Sequence, residues 1–232
     1  MDRSVSDFLR DQPLQAILLD AVGTTIYPAR DVSQTYSEFG KRYGCELGVE
    51  EIRQRFRAAF RAEEAQDKAA GYRTSEERER QRWQTIVGKV FTELKESGPL
   101  FEDLWQHFRQ PSSWRVYPDT VKLIEGANQK GLKVILASNF DGRLRAIVGG
   151  FPELAGLHSL AISSELGWRK PAREFYHQIV KQLKLEPSTA LSIGDDRVND
   201  YEGALAAGLQ AKLVNQEKEN RQDAKDAKND VA

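Results

Sequence analysis

The chain has 232 residues, 40% of them hydrophobic, which is enough for one core and a smaller second unit. Its 34 Lys and Arg and 35 Asp and Glu give a formal net charge of -1, which argues against a nucleic-acid partner, and no apolar run approaches the ~20 residues a membrane span needs. A lone Cys45 excludes an internal disulfide and a cysteine-cluster metal site, and Met1–Phe8 lacks the apolar segment of a signal peptide, so the expected location is the cytoplasm.

In chain order, the first element is the run Ala16-Ile17-Leu18-Leu19, read as a buried strand that delivers Asp20 to the tight loop Ala21-Val22-Gly23-Thr24-Thr25. After Pro28, helical spacing takes over until about Pro111. Val32, Tyr36, Phe39 and Tyr43 fall three or four apart, as do Ile52, Phe56 and Phe60, then Trp83, Val87, Val90 and Leu94, then Leu100 or Phe101, Leu104, Trp105 and Phe108. Four amphipathic helices in succession predict a bundle of their own over 30–111, between core segments 1–29 and 112–215. Pro118-Asp119-Thr120 starts a helix that stops at Gly131. A strand at 133–137, a helix near 141–149, a strand near 158–163, a helix after Pro171, a strand at 190–194, a helix from about 198 to 207 and a strand at 210–214 follow. This alternation predicts an α/β core, a parallel sheet with helices on both faces. Residues 216–232 are nearly all charged, amide or Ala, and read as a disordered tail or a frayed helix.

In such sheets ligands bind beyond the carboxyl ends of the strands, near a switch point in strand order. Asp20, Ser138 of Val134-Ile135-Leu136-Ala137-Ser138-Asn139, and Asp195 of Ala190-Leu191-Ser192-Ile193-Gly194-Asp195-Asp196 all sit at predicted strand ends, and can converge on one crevice. Each alone reads better as a strand-end turn or a helix cap, and Lys170 alone as a surface lysine. The ordered set suits phosphoryl transfer. A carboxylate can attack phosphorus to form an aspartyl phosphate that water then hydrolyses. Its repulsion from the anionic phosphate calls for a divalent cation, for which Mg²⁺, with its preference for oxygen ligands, is the expected cofactor. Gly23 would let the backbone approach a ligand closely.

With Lys170, these segments resemble the four motifs of the haloacid dehalogenase superfamily, a group dominated by phosphatases. The matching residues are Asp20 and Thr24, then Ser138, then Lys170-Pro171, then Gly194-Asp195 with Asp200, over roughly 14 to 214. The resemblance implies a Rossmann-like doubly wound core with an inserted helical cap. It also implies Asp20 as nucleophile, with Asp20, Asp195 and the backbone carbonyl of Val22 as Mg²⁺ ligands. Asp200 is a further ligand, directly or through water, and Asp196 an alternative to it. Ser138 is expected to hydrogen-bond a phosphoryl oxygen, with Asn139 available for the same task, and Lys170 to neutralise the nucleophile. Thr24 is expected to donate to the phosphate or hold the loop, and Trp168 and Arg169 to lie on the rim. The expected partner is a small phosphorylated molecule, and no feature specifies an oligomeric state.

Where the family's phosphatases have a second aspartate, the general acid and base, this chain has Val22. Losing such a group typically costs about 10²–10⁴-fold in rate, so the expected enzyme is slow and favours good leaving groups. Asp20-Ala21-Val22-Gly23-Thr24, Ser138-Asn139-Phe140-Asp141 and Ser163-Ser164-Glu165-Leu166-Gly167 look closest to a helical-cap branch (subfamily IA) named for a rhythmically expressed insect gene product. One alternative is a phospho-ligand-binding or regulatory protein with little or no turnover. A second is a 2-haloacid dehalogenase, with Arg53 near the place of a halide cradle. A third, phosphonate cleavage, would need a Schiff-base lysine from Lys41, Lys68, Lys89 or Lys95.

Overall fold

The computed structural model describes residues 14–214. Strand β1 (Ala16–Leu19) is followed by β2 (Ile26–Pro28), then four helices, α1 (Val32–Arg42), α2 (Val49–Ala69), α3 (Glu76–Val90) and α4 (Gly98–His107). Strand β3 (Trp114–Val116) leads back to α5 (Pro118–Gln129), β4 (Lys133–Ser138), α6 (Arg143–Gly149), β5 (Ser159–Ile162) and the short α7 (Ser163–Leu166). Helix α8 (Arg173–Leu183), β6 (Ala190–Gly194), a π-helical turn (Arg197–Glu202), α9 (Gly203–Ala206) and β7 (Gln210–Leu213) complete the chain. The expectations for Met1–Phe8 and for the tail at 216–232 lie outside the described residues.

Five strands form a parallel sheet in the order β5-β4-β1-β6-β7. Because successive side chains of a strand face opposite ways, β1 serves two cores. Ile17 and Leu19 pack with Ile124 of α5 and with Leu144 and Ile147 of α6, while Ala16 and Leu18 pack with Phe175, Tyr176 and Ile179 of α8. Helices therefore cover both faces, as the alternation of elements predicts, and β1 and β6 are buried throughout. β1 lies between β4 and β6, with Leu19 level with both Leu136 and Ile193, so the residues that leave these three strands emerge side by side.

The helices α1–α4 surround a third apolar cluster that includes Tyr36, Ile52, Ile86, Val90, Leu100 and Leu104. Two starts are capped by side chains: Asp31 accepts from Gln34 N at 2.9 Å, and Ser75 from Arg78 N at 3.1 Å. The chain leaves the core through β2 and returns through β3, which pair antiparallel with Pro28 opposite Trp114. This ribbon, three residues per strand, is too short to show a period in the sequence.

One expected element differs. The helix read from about 198 to 207 is a π-helical turn followed by the four-residue α9. Asp196 caps that turn, its Oδ1 accepting from Val198 N and Asn199 N at 2.8 and 2.7 Å, while the chain must swing Asp200 back beneath Gly194. The wider turn accommodates both, in keeping with the occurrence of π-turns at functional sites.

Candidate active site

Asp20, Asp195 and Asp200 each offer a carboxylate oxygen within 4.8 Å of the others. Lys170 stands among them, its ammonium donating to Asp20 Oδ1 at 2.6 Å, to Asp200 Oδ1 at 2.5 Å and to the carbonyl of Ala137 at 2.9 Å. Three carboxylates against one ammonium leave two negative charges. Burial, opposed by Lys170 and reinforced by Asp200 and Asp195, pushes the Asp20 carboxyl up to about 7. Burial and the Asp200 charge also raise the pKa of Asp195. For Lys170, burial favours loss of the proton, but the Asp20 and Asp200 carboxylates outweigh it and the ammonium stays charged.

The loop after β1 is shaped around Asp195. Gly23 has φ +94°, and a Cβ there would lie 2.5 Å from Asp195 Oδ2. Thr24 is buried, with its hydroxyl 3.2 Å from Asp195 Oδ1 and its carbonyl accepting from Thr120 Oγ1 at 2.8 Å, so it ties the loop to the cluster and to α5. Thr25 donates to the carbonyl of Asp20 at 2.6 Å. We expect Gly23→Ala to cost about 1–3 kcal/mol from the left-handed backbone alone, seen as a lower melting temperature together with displacement of Asp195.

Asp200 is fully engaged, Oδ1 with Lys170 and Oδ2 accepting from Asp196 N at 3.0 Å, and a Cβ on Gly194 would overlap its carboxylate. Asp196, the alternative to Asp200, turns instead to cap the π-turn. Asn139 makes a reciprocal pair with the backbone of Lys170: its Nδ2 donates to Lys170 O at 2.9 Å and its Oδ1 accepts from Lys170 N at 2.7 Å. Its amide thus fixes the lysine. Ser138 ends β4, buried, beside Asp20 on the cavity wall. Val22 is 38% exposed, lines the same cavity, and its carbonyl accepts no backbone hydrogen bond among the described residues.

That cavity, about 380 Å³, lies between the sheet ends and the helices α1–α4. Its core side includes Asp20, Ser138, Lys170 and Asp195, and its helical side is aromatic, with Tyr36, Phe56, Phe60, Trp83 and Trp105. The helical unit is docked over the sheet by several contacts. Glu76 accepts from Gly142 N at 2.9 Å and from the hydroxyl of Ser164, Arg169 N donates to Tyr72 O at 2.8 Å, and the Arg169 guanidinium pairs with Glu79. The guanidinium of Arg143, held by Asp141, lies 3.4 Å from the ring centre of Trp105.

Residues 14–208 match the model of a haloacid dehalogenase-like hydrolase. The chain belongs to that family. Its relatives include haloacid dehalogenase-like hydrolase domain-containing protein 3 of Bos taurus, 26% identical over 208 residues that make up 87% of this chain and 82% of the relative. The human protein of the same name is also 26% identical, over 209 residues, with the same coverage. Among solved structures, a HAD phosphatase from Thermococcus onnurineus shares the fold with TM-score 0.59 and 21% identity, covering 87% of this chain and 86% of that one. The L-2-haloacid dehalogenase of Xanthobacter autotrophicus does so with TM-score 0.65 and 18% identity, covering 87% and 77%.

Within this haloacid dehalogenase-like hydrolase, several residues weighed from sequence lie away from the cavity. Arg53 is paired with Glu50 at 2.5 Å and Asp31 at 3.5 Å, and neither it nor Lys41, Lys68, Lys89 or Lys95 lines the cavity. Of the two residues placed on the rim, Arg169 does line the cavity; Trp168 instead packs under the Arg73 guanidinium at the docking seam. Sequence reasoning missed four charged residues of the cap, Glu63, Asp67, Glu79 and Arg82, all of them buried. A signal for them exists. On α2 the spacing Phe56, Phe60, Glu63, Asp67 continues the apolar stripe with acids, and on α3 Glu79 and Arg82 precede Ile86 and Val90 on the same stripe. A charge on an apolar face must be paired or used.

Proposed function

We propose that this hydrolase is a magnesium-dependent phosphatase for a small phosphorylated metabolite, acting through an aspartyl phosphate on Asp20. The observation that supports it most is the cluster of three carboxylates around one ammonium at the ends of β1 and β6. Its surplus of two negative charges matches a divalent cation, and carboxylate oxygens within 4.8 Å of one another can share one ion. Asp20 and Asp195 are the residues to hold it, with the unoccupied carbonyl of Val22, while Asp200 orients Lys170 and closes the cluster. Bound there, Mg²⁺ would offset the repulsion between Asp20 and a phosphoryl group.

In this reading an Asp20 oxygen attacks phosphorus as the bond to the leaving oxygen breaks, and water later displaces the aspartyl carboxylate. The Lys170 ammonium and the Ser138 hydroxyl stabilise charge on the transferring group. No carboxyl stands at position 22 to protonate the leaving oxygen. Of the other acids on the cavity wall, Glu79 is bound to Arg169 and Thr74, and Asp196 caps its turn. Glu64 shows no such partner among the described residues, and burial raises its pKa, the direction a proton donor needs. With Val22 in place of an acid, leaving groups that depart without a proton are the preferred substrates, and Glu64 is the one wall acid open to serve the others. Among the described residues no helix is long and apolar enough to cross a membrane.

A screen of metabolite phosphates and 4-nitrophenyl phosphate, with and without Mg²⁺, tests the reading. The expected result is phosphate release that a chelator stops. Chloride release from a 2-chloro acid that persists in chelator would replace it with dehalogenation. Binding of phosphate esters without turnover would leave a ligand-binding protein.

A further inference from the structure

The cap side of the cavity wall holds a cation for which the hydrolytic chemistry has no use. Arg82 of α3 is 1% exposed yet lines the cavity. Its guanidinium lies over the ring of Phe60, 4.8 Å from the ring centre, and its Nη1 donates to Asp67. Its Nη2 finds no hydrogen-bond partner among the described residues. Buried charged donors without acceptors are rare, since nothing repays the lost hydration.

The surrounding acids are already committed. Asp67 Oδ2, the acceptor for Arg82, is also 3.5 Å from Arg169 Nε, and Asp67 Oδ1 accepts from Arg78 at 2.7 Å, so one carboxylate serves three guanidiniums. Glu79 Oε1 is taken by Arg169 and by the Thr74 hydroxyl, and Glu63 by Arg78 at 2.9 Å and Lys89 at 3.4 Å. Glu64, the remaining acid facing Arg82, has its pKa raised by burial. Phe60, which lies against the guanidinium, stands in a group with Phe56 and Trp83, ring centres 6.1–6.4 Å apart. Neutral hydrogen-bonding side chains on the wall are few, and one of them, Asn139, is spent on Lys170.

We propose that Arg82 and the aromatic group beside it form a second substrate subsite, which takes an oxyanion, carboxylate or phosphate, borne on a flat apolar body that lies against Phe56, Phe60 and Trp83. The phosphatase reading is needed only for the other end of this substrate, the phosphoryl group on Asp20. An oxyanion supplies the acceptor that Arg82 Nη2 lacks, and the rings contact the body in place of the hydroxyl-binding groups a sugar would require. The substrate class is thus an aromatic or similarly apolar acid carrying a phosphate ester.

Titration of the full chain with benzoate and with its neutral analogue benzamide tests this, in saturating Mg²⁺ and inorganic phosphate so that the core end is filled. The fluorescence of Trp83 and Trp105, both on the cavity wall, reports binding. Benzoate should bind at least about tenfold more tightly than benzamide, and Arg82→Lys, with folding checked by circular dichroism, should erase most of the difference. Phe60→Leu leaves Asp67 paired with Arg82 and should weaken benzoate about threefold by removing the ring against the cation. Equal affinities for benzoate and benzamide, or a benzoate preference untouched in folded Arg82→Lys or in Phe60→Leu, would overturn the subsite. Benzoate preference without hydrolysis of any phosphate ester would keep the subsite and remove the phosphatase reading; hydrolysis without the preference would do the reverse.

Discussion

Asp20→Asn should abolish magnesium-dependent release of phosphate from an aryl phosphate. Loss of a covalent nucleophile costs on the order of 10⁴–10⁶-fold where it has been measured in other enzymes, and no other cavity acid is placed to replace Asp20. Asp195 is turned to Thr24 and Gly23, and Asp200 has one oxygen on Lys170 and the other on the Asp196 amide. The substituted amide is nearly the size of the carboxylate, so folding should survive, and circular dichroism of the variant separates lost chemistry from lost structure. Turnover within tenfold of wild type would show that Asp20 is not the attacking group, whatever the true reaction.

Val22→Asp should act in the opposite direction. The side chain at this position is 38% exposed and faces the cavity, so a carboxylate fits there without burial in the core. It would supply the proton that an alkoxide leaving group needs, and turnover of alkyl phosphates should rise by up to about 10²-fold or more. Turnover of 4-nitrophenyl phosphate should change little, because that leaving group departs unprotonated. A comparison of kcat for the two ester types in the two proteins reads this directly. No gain on alkyl esters would mean that another group, Glu64 being the candidate, already protonates the leaving oxygen.

Much of this site is legible in the sequence because its parts lie at the ends of apolar runs. A run such as Ala16–Leu19, bounded by turn residues, reads as a buried strand, and the polar residue that ends it emerges at one edge of a parallel sheet, where Asp20, Ser138 and Asp195 meet. The cap helices are legible for a similar reason, since their aromatic residues recur at helical spacing and fill a cluster of their own. Local spacing contains less about competition between polar groups. The π-turn at Arg197–Glu202 arises because Asp196 caps the local amides of Val198 and Asn199 while Asp200 reaches Lys170, and that second contact depends on a residue 30 positions away. Likewise Asn139, which reads as a phosphate donor beside Ser138, is held by the backbone of Lys170, a partner 31 residues along the chain. The buried Arg82 network needs α2, α3 and the segment before Lys170 together, and no single helix reveals it.

The contact between Arg169 and the cap has a mechanical side. The amide of Arg169 is bonded to Tyr72 and its guanidinium to Glu79, while the next residue along the chain holds the ammonium against Asp20. A cap that lifted away would have to break both contacts and would pull on that peptide, so the strut that joins the two units is also tied to the placement of the lysine.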